Sequence, residues 1–121
     1  MIRDVLAIDD SAAMREILAA TLREAGYEVT VAADGDEGLA SARAHSFDLV
    51  LTDQHMPKRS GLGVIEALRA EPAYAATPIF VLTTEQGDAF KDAARTAGAT
   101  GWIAKPLDPD TLTELIAALP A

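Results

Sequence analysis

Short apolar runs alternate with helical patterns along the chain, and four of these runs end on charged or hydroxyl residues. Brief apolar runs that are bounded by polar residues and separated by helices are typical of buried strands in a parallel sheet. The four runs cover residues 5–8, 49–52, 79–82 and 102–104, and they lead into Asp9-Asp10, Asp53, Thr83 and Lys105-Pro106. A weaker run at 28–32, which contains Val29 and Val31, predicts a further strand.

Helix signals fill the gaps between the predicted strands. Ser11 can cap a first helix that Gly26 closes, with apolar positions at Met14, Ile17, Leu18 and Leu22. Further helices are predicted at 36–44 after a turn at Gly35, after Gly61, at 88–96 before Gly98, and from Pro109 with Asp108 as cap. This order is five repeats of strand then helix, (βα)5. Right-handed crossovers would then give an α/β doubly wound open sheet of five parallel strands.

The size and composition of the chain fit a single domain over residues 1–121. Hydrophobic residues make up 50% of it, but no stretch approaches the roughly 18–20 apolar residues of a membrane span. The amino end enters a strand without the basic and apolar regions of a secretory signal. Cysteine is absent, which excludes disulfides and thiolate metal sites. We therefore expect a cytoplasmic, monomeric domain.

The formal charge of −9 arises from 19 acidic and 10 basic residues. A surface of that sign repels nucleic acid and anionic membranes. It is compatible with divalent cations or with a basic groove on a partner protein, and it could also serve only to keep the protein in solution. Charge therefore argues against nucleic-acid and membrane partners without identifying the true one.

The polar residues that follow the strands form a candidate site. Ligands bind at the carboxyl edge of such sheets, so Asp9, Asp10, Asp53, Thr83 and Lys105 should converge there. Three carboxylates and one ammonium leave two negative charges, which a divalent cation would compensate. An all-oxygen donor set suits Mg²⁺. Capping of the following helix is the alternative explanation for the acidic pair, but that explanation does not account for a further aspartate at a separate strand end.

Asp53 is the candidate nucleophile of this site. A carboxylate can attack a phosphoryl group and carry it as an aspartyl phosphate. Such transfer depends on positioning and on neutralising the phosphoryl oxygens, which Lys105 and the Thr83 hydroxyl could do. Pro106 constrains the turn after Lys105 and so limits where the ammonium points.

Four segments in register resemble the response-regulator receiver domain. They are Ile8-Asp9-Asp10-Ser11, Asp53-Gln54-His55-Met56-Pro57 with Gly61, Thr83-Thr84-Glu85, and Gly101-Trp102-Ile103-Ala104-Lys105-Pro106. The resemblance covers about residues 3–119 and is strongest to stand-alone, CheY-type chemotaxis receivers. It implies a flavodoxin-like fold and a role in two-component signal transduction.

The resemblance also implies roles for individual residues. Asp53 would accept a phosphoryl group from a histidine kinase or histidine phosphotransfer protein, and the protein would assist its own phosphorylation and dephosphorylation without being a turnover enzyme. The implied Mg²⁺ ligands are Asp9, Asp10, Asp53 and the backbone carbonyl of His55. Lys105 and Thr83 would bind the phosphoryl oxygens. Thr83 and Trp102 would form the switch, which changes a downstream-target surface made of the fourth helix, fifth strand and fifth helix.

The chain departs from the family pattern around the site. Lys58-Arg59-Ser60 replaces the more usual acidic residue before Gly61, which puts partner contacts at that loop in question. Thr84 is bulkier than the alanine or glycine common there and could restrict water or small phosphodonors. His55 and Glu85 flank the site and could set the lifetime of the phosphoryl group, or they could be exposed loop side chains.

Several alternative functions share these residues. A phosphate sink or a relay intermediate would use the same site as a chemotaxis regulator. A small Mg²⁺-dependent phosphohydrolase would also form an aspartyl phosphate, but it should have a second acid close to Asp53 and a lid over its substrate. Gln54 and His55 stand where that acid would be, and no insertion is long enough for a lid. A scaffold that does not switch is disfavoured by the complete set of charged groups.

Overall fold

Strands and helices alternate through residues 2–119, the part of the chain that the computed structural model describes. The strands are β1 (Asp4–Ile8), β2 (Glu28–Ala32), β3 (Leu49–Asp53), β4 (Ile79–Thr83) and β5 (Gly101–Ala104). The helices are α1 (Ala12–Glu24), α2 (Gly35–Ala44), α3 (Gly61–Arg69), α4 (Asp88–Ala97) and α5 (Pro109–Ala118), with a 3-10 helix at Pro72–Tyr74. The predicted (βα)5 order is confirmed.

The five strands form one parallel sheet in the order β2-β1-β3-β4-β5. The order reverses between β1 and β3, and the crevice beyond the carboxyl ends at such a reversal is where ligands bind in open α/β sheets. The register aligns Ile8 with Thr52, and Asp53 with Leu82. The strand ends that carry the polar residues therefore lie level with one another.

The core consists of two hydrophobic layers, one on each face of the sheet. Alternate residues of each central strand enter opposite layers, as the two-residue period of a strand requires. In β1, for example, Val5 and Ala7 pack with α1 and α5, whereas Leu6 and Ile8 pack with α2 and α3. Burial on both faces explains why the strands read as continuous apolar runs instead of alternating ones.

The predicted helix ends agree closely with the structure. The Ser11 hydroxyl oxygen accepts a hydrogen bond from the Met14 amide at 3.3 Å, and Asp108 accepts one from the Asp110 amide at 3.1 Å. Gly26 and Gly98 follow α1 and α4 with φ of 98° and 102°, a left-handed conformation that favours glycine. The second helix differs slightly from prediction. It begins at Gly35 because the Asp34 carboxylate caps it by accepting from the Glu37 amide at 2.8 Å.

One predicted core position was wrong. Ile17 was assigned to the apolar face of α1, but it is 46% exposed. The buried positions of α1 are Leu18, Ala19 and Leu22, with Met14 half-buried beside them. Successive residues of a helix are rotated by about 100° around its axis. Ile17 and Ala19 therefore lie on opposite sides of Leu18, and because the helix buries the side with Ala19, Ile17 faces away from the sheet.

Arg69, at the end of α3, binds backbone carbonyls of the segments that lead into β4 and β5, at the end of the sheet opposite the candidate site. Its Nη1 donates to the carbonyls of Tyr74 and Thr77 at 2.6 and 2.7 Å, and its Nε donates to the carbonyl of Gly98 at 2.8 Å. The sequence did not single out this residue.

None of the helices within residues 2–119 has both the length and the apolar character needed to cross a membrane.

Candidate functional site

The residues predicted for the site converge at the carboxyl edge of the sheet. One carboxylate oxygen from each of Asp9, Asp10 and Asp53 lies within 4.8 Å of the other two. Asp9, Asp53 and Thr83 are buried, with 0%, 4% and 1% of their surfaces exposed, whereas Asp10 is exposed. The structure thus brings together three acidic groups that two different strands supply.

Lys105 reaches this cluster from the end of the edge strand β5. It lies one residue beyond β5, and its amide donates to the Thr83 carbonyl at 2.9 Å, so the strand pairing continues as far as this residue. Its Nζ is 2.8 Å from Oδ1 of Asp53 and 3.4 Å from Oδ2 of Asp9. The peptide bond between Lys105 and Pro106 is cis.

The charges of the cluster shift the pKa of the lysine. Burial alone would lower the pKa of Lys105, but the hydrogen bond to Asp53 and the negative charges of Asp9 and Asp53 outweigh it. The pKa is therefore raised, and the side chain stays protonated near neutral pH. A cation held among these carboxylates can neutralise an anionic group that binds there.

Burial dominates the acidity of Asp9 and raises its pKa. The amide of Ser11, which donates to Oδ1 at 2.9 Å, acts in the opposite direction. The charge of Asp53 adds to the increase, and Lys105 offsets part of it. The ionised form of Asp9 is thus disfavoured when no further cation is present.

The oxygens of the cluster fit a hard cation such as Mg²⁺. Protein donors already engage both Asp9 oxygens and Oδ1 of Asp53. Within the described residues, the second oxygen of Asp53 and the carboxylate of Asp10 have no such donor. An all-oxygen set that leaves room for waters is the environment that Mg²⁺ prefers. The fourth ligand implied by the family resemblance, the carbonyl of His55, stays a prediction.

The loop after β3 folds back on the Asp53 backbone. Gly61 lies so close that a Cβ there would collide with the carbonyl oxygen of Asp53. The Gly61 amide donates to the Gln54 carbonyl at 3.0 Å, and the Gln54 side-chain oxygen accepts from the Leu62 amide at 3.0 Å. These contacts hold the start of α3 against the end of β3. The sequence indicated Gly61 but did not reveal the role of Gln54.

The residues that depart from the family pattern in this loop have structural roles. The Ser60 hydroxyl accepts from the Gly63 amide at 3.1 Å and so caps α3. The Arg59 guanidinium pairs with Asp36 of α2 at 3.1 Å. Lys58 has a φ of 71°, an uncommon left-handed conformation for a residue with a side chain. Arg59 is thus engaged within the chain, whereas Lys58 is exposed.

The predicted modulating residues lie on the rim of the site. The Thr83 hydroxyl oxygen accepts from the Glu85 amide at 2.9 Å, which turns the chain directly after β4. The Glu85 carboxylate then lies 3.7 Å from Nε2 of His55 on the facing loop. Thr84, which stands between Thr83 and Glu85 in the sequence, is exposed. His55 and Glu85 together bridge the two loops that follow the central strands.

Trp102 packs on the α4 side of the sheet and is half-buried. Two cations of α4 approach its ring: Nζ of Lys91 lies 5.6 Å and Cζ of Arg95 lies 5.2 Å from the ring centroid. Both distances are within the range of cation–π attraction. Lys105, one residue beyond the end of β5, instead contacts the acidic cluster.

Arg15 is a site residue that the sequence analysis missed. Its Nη1 donates to the backbone carbonyl of Asp9 at 2.7 Å from within α1. A cation in the first turns of the helix after the acidic pair was the available signal. Spacing alone could not reveal it, because the same helix carries Arg23, whose guanidinium contacts the Val29 carbonyl of β2.

One solved structure of similar fold contains a bound metal ion. The receiver domain of the sensor histidine kinase PA1611 from Pseudomonas aeruginosa has a TM-score of 0.86 and 27% identity, with 96% of this chain and 95% of that chain covered. It was solved with a magnesium ion coordinated in its active-site cleft.

Other comparisons match nearly the full length of the chain. Chemotaxis protein CheY1 of Helicobacter pylori is 38% identical over 112 residues, which are 91% of this chain and 90% of that protein. The structure of CheY4 from Vibrio cholerae has a TM-score of 0.94 and 41% identity, covering 99% of this chain and 100% of that chain. A response regulator protein from Burkholderia multivorans is 65% identical, with a TM-score of 0.83 and 100% and 98% coverage.

The chain also matches the model of a protein family. The model of the response regulator receiver domain matches residues 5–117, which include every strand end that contributes to the acidic cluster. The fold, the position of the cluster and the similarity to chemotaxis receivers agree with that match. The chain belongs to the response regulator receiver domain family.

Proposed function

We propose that this protein accepts a phosphoryl group on Asp53 from a phosphohistidine donor and transmits the modification to a partner protein. The observation that carries the proposal is the 2.8 Å contact of Lys105 with Asp53 inside a cluster of three carboxylates. Asp53 is the last residue of the central strand β3, and it makes the shortest contact with Lys105 in the cluster, 2.8 Å against 3.4 Å for Asp9.

Phosphoryl transfer to Asp53 would be a substitution at phosphorus, in which the imidazole of the donor is the leaving group. A carboxylate oxygen of Asp53 attacks phosphorus, and an O–P bond forms as the P–N bond to the imidazole of the donor breaks. The imidazole nitrogen keeps the electron pair and takes up a proton. Loss of the group is the attack of water on phosphorus, which returns the carboxylate and inorganic phosphate.

Lys105 and Thr83 are proposed to bind the phosphoryl oxygens. The Lys105 ammonium already touches the acceptor, and its raised pKa keeps it charged for that task. The Thr83 hydroxyl oxygen accepts from the Glu85 amide, which leaves its proton free to donate to a phosphoryl oxygen. Phosphoryl transfer requires such neutralisation more than it requires acid or base.

Asp9, Asp10 and Asp53, together with the His55 carbonyl, are proposed to hold Mg²⁺. When bound, the metal would supply positive charge to the phosphoryl oxygens. The pattern of engaged oxygens favours direct contact through Asp10 and Asp53, because both Asp9 oxygens have protein donors.

The output is proposed to run through Thr83 and Trp102 to the surface formed by α4, β5 and α5. A phosphoryl group adds about −1.5 to −2 charge beside Thr83. If Thr83 moves towards it, the surroundings of Trp102 change, and a downstream protein that prefers the new arrangement binds better. His55, Thr84 and Glu85 on the rim are proposed to set how long the phosphoryl group survives.

We propose that the protein is a phosphoacceptor that assists its own phosphorylation and dephosphorylation, and that it is not a turnover enzyme. The position after Asp53, where a phosphohydrolase would need a second acid close by, holds Gln54. Its side chain is instead bonded to the Leu62 amide. Within residues 2–119 no inserted segment covers the site as a lid would. These features favour signalling over hydrolysis of a small substrate.

The similarity to CheY proteins favours a chemotaxis regulator over a phosphate sink or relay intermediate. We propose a monomeric domain over residues 1–121 that works in the cytoplasm with a histidine kinase or histidine phosphotransfer protein. Phosphorylation of Asp53, its single phosphoacceptor, would control the binding of a downstream protein target.

Intact-mass measurement after incubation with a phosphorylated kinase or acetyl phosphate, plus Mg²⁺, tests the proposal. Wild-type protein should gain the mass of one phosphoryl group, and Asp53→Asn should gain none. Equal labelling of the two proteins would show that Asp53 is not the acceptor. Good labelling by the kinase with little by acetyl phosphate would indicate that Thr84 restricts small donors.

A further inference from the structure

We propose that Arg15 is a positioning residue for the acidic cluster, because its guanidinium orients the peptide that joins Asp9 to Asp10. The inference rests on the proposed function, since the geometry that it protects is that of the metal and phosphoryl site. Neither the sequence motifs nor the family match involves this residue in the site.

The contact is short and partly shielded from water. Nη1 of Arg15 donates to the carbonyl oxygen of Asp9 at 2.7 Å, and the arginine side chain is half-buried. A hydrogen bond from a charged donor is roughly twice as strong as one between neutral groups. The guanidinium reaches back six residues from α1 to the end of β1 to make it.

This bond acts on a single peptide plane. The carbonyl of Asp9 and the amide of Asp10 belong to the same planar unit, so fixing one fixes the other. The amide of Asp9 is held separately by the carbonyl of Ala32 at 3.1 Å. Asp9 is thus anchored to β2 on its amino side and to α1 on its carboxyl side.

The residue that gains from this anchoring is Asp10. Asp9 is buried and has protein donors on both carboxylate oxygens, so packing already defines its side chain. Asp10 is exposed, and its carboxylate depends on the direction in which the backbone presents it. If the peptide plane turns, the Asp10 carboxylate moves away from the carboxylates of Asp9 and Asp53, which stay in place.

Charge and positioning predict opposite effects on cation binding. The positive charge of Arg15 lies against the backbone of Asp9, a member of the acidic cluster, so charge alone would make it repel Mg²⁺, and its removal would strengthen binding. Loss of positioning would weaken binding, because one ligand would no longer be held in place. The direction of the change therefore separates the two roles.

The chain offers a matched control. Arg23 lies on the same helix and also donates to a backbone carbonyl, that of Val29 at 3.2 Å, but it is at the far end of α1 from the cluster. Arg23→Gln removes a charge and an arginine-to-carbonyl bond without touching the site. It reports the general effect of such a change on the fold.

The experiment is calorimetric titration of the whole protein with MgCl₂ for wild type, Arg15→Gln, Arg15→Lys and Arg23→Gln. Removing residues that orient metal ligands typically costs 10–100-fold in affinity, so we expect Mg²⁺ to bind about tenfold more weakly to Arg15→Gln. Arg15→Lys keeps the charge but loses the guanidinium geometry, and it should fall between Arg15→Gln and wild type. Arg23→Gln should match wild type.

Equal or tighter Mg²⁺ binding by Arg15→Gln would overturn the proposal. Should that variant fail to fold, Arg15→Lys decides: weakened binding supports positioning, since the charge is unchanged, and wild-type affinity contradicts it. Absence of Mg²⁺ binding by wild type would overturn both this inference and the proposed metal site. Intact mass after phosphorylation of wild type tests Asp53 separately, so a protein that binds Mg²⁺ but is not labelled would reject the proposed function alone.

Discussion

Nζ of Lys105 lies 2.8 Å from Oδ1 of Asp53, although the two residues are 52 positions apart in the chain. This pair joins the end of the central strand β3 to the loop after the edge strand β5. Among the described residues, the lysine is the one cation paired with the carboxylate groups of the cluster, so its removal leaves the carboxylates to repel one another.

Substitution of Lys105 should therefore lower stability, whereas substitution of Asp53 should not. Lys105→Met should lower the free energy of unfolding by about 2 kcal/mol in Mg²⁺-free buffer, since it leaves partly buried charges uncompensated. Asp53→Asn should leave stability unchanged or raise it, because it removes one like charge. Urea unfolding of both variants measures this. A stable Lys105→Met protein would mean that water screens the cluster.

Mg²⁺ should raise the melting temperature of the protein. A ligand that binds only the native state stabilises it by mass action, by about 2.7 kcal/mol at a concentration 100 times Kd. Asp10→Asn should abolish the shift, because Asp10 supplies oxygens that no protein donor among residues 2–119 occupies. Thermal melts with 0 and 10 mM MgCl₂, about the millimolar range in which weak sites fill, provide the measurement. A full shift in Asp10→Asn would reject the assignment of this ligand.

Gly61→Ala should disturb the site from outside the acidic cluster. A Cβ at this position would collide with the backbone carbonyl of Asp53, and backbone atoms cannot move aside cheaply. We expect a loss of about 2 kcal/mol of stability together with slower phosphorylation. Gly87→Ala is the control, since a Cβ there has no neighbour within 4 Å and its φ is −72°. Equal effects of both variants would count against the close approach at Gly61.

Trp102, the only tryptophan, should report the switch through its fluorescence. Beryllofluoride with Mg²⁺ should shift its emission in wild type and leave Thr83→Ala unchanged, because the shift requires movement of the Thr83 hydroxyl. Replacing Lys91 and Arg95 by methionine should itself move the emission, since each cation contributes about 0.5–1 kcal/mol to the present ring position. An unchanged spectrum despite confirmed occupancy of Asp53 would place the signal in another element.

Asp48 should make stability fall in acid. Its Oδ2 accepts hydrogen bonds from the amides of Arg3 and Asp4, both at 3.0 Å, and these bonds lower its pKa. Its contribution is therefore present above the unfolded-state pKa of 3.8 and is lost as the pH falls through the lower folded-state value. Because Asp48 is exposed and water screens its charge, Asp48→Asn should cost no more than about 1 kcal/mol at pH 7, and the difference from wild type should shrink below pH 3.8. A constant difference across this range would exclude the ionised carboxylate as its cause.

Much of the fold follows from local patterns. Capping residues such as Ser11 and Asp108 stand within three positions of the amides that they bond, so the sequence displays both partners together. The inner strands β1, β3 and β4 were predictable because burial on both faces of a parallel sheet demands continuous apolar runs, whereas the edge strand β2 is less buried and has a weaker run. The length of a buried strand also determines where its polar end falls, which explains why the residues of the acidic cluster were identified in advance.

The contacts that the sequence did not reveal join positions far apart in the chain or depend on helix rotation. The pairing of Arg59 with Asp36 requires the packing of α3 against α2. The 3.7 Å approach of His55 to Glu85 depends on how two loops meet. Neither contact leaves a periodic signal.

Rotation of α1 about its axis decided two further details. The apolar period placed Ile17 in the core, but the docking angle of the helix leaves it exposed and turns Arg15 towards the Asp9 carbonyl. The sequence by itself determined which elements form and which strand ends carry charge, because those signals lie within one element. Only the tertiary structure decided which side chains orient that charge, because a helix of given sequence can satisfy its own hydrogen bonds at any rotation.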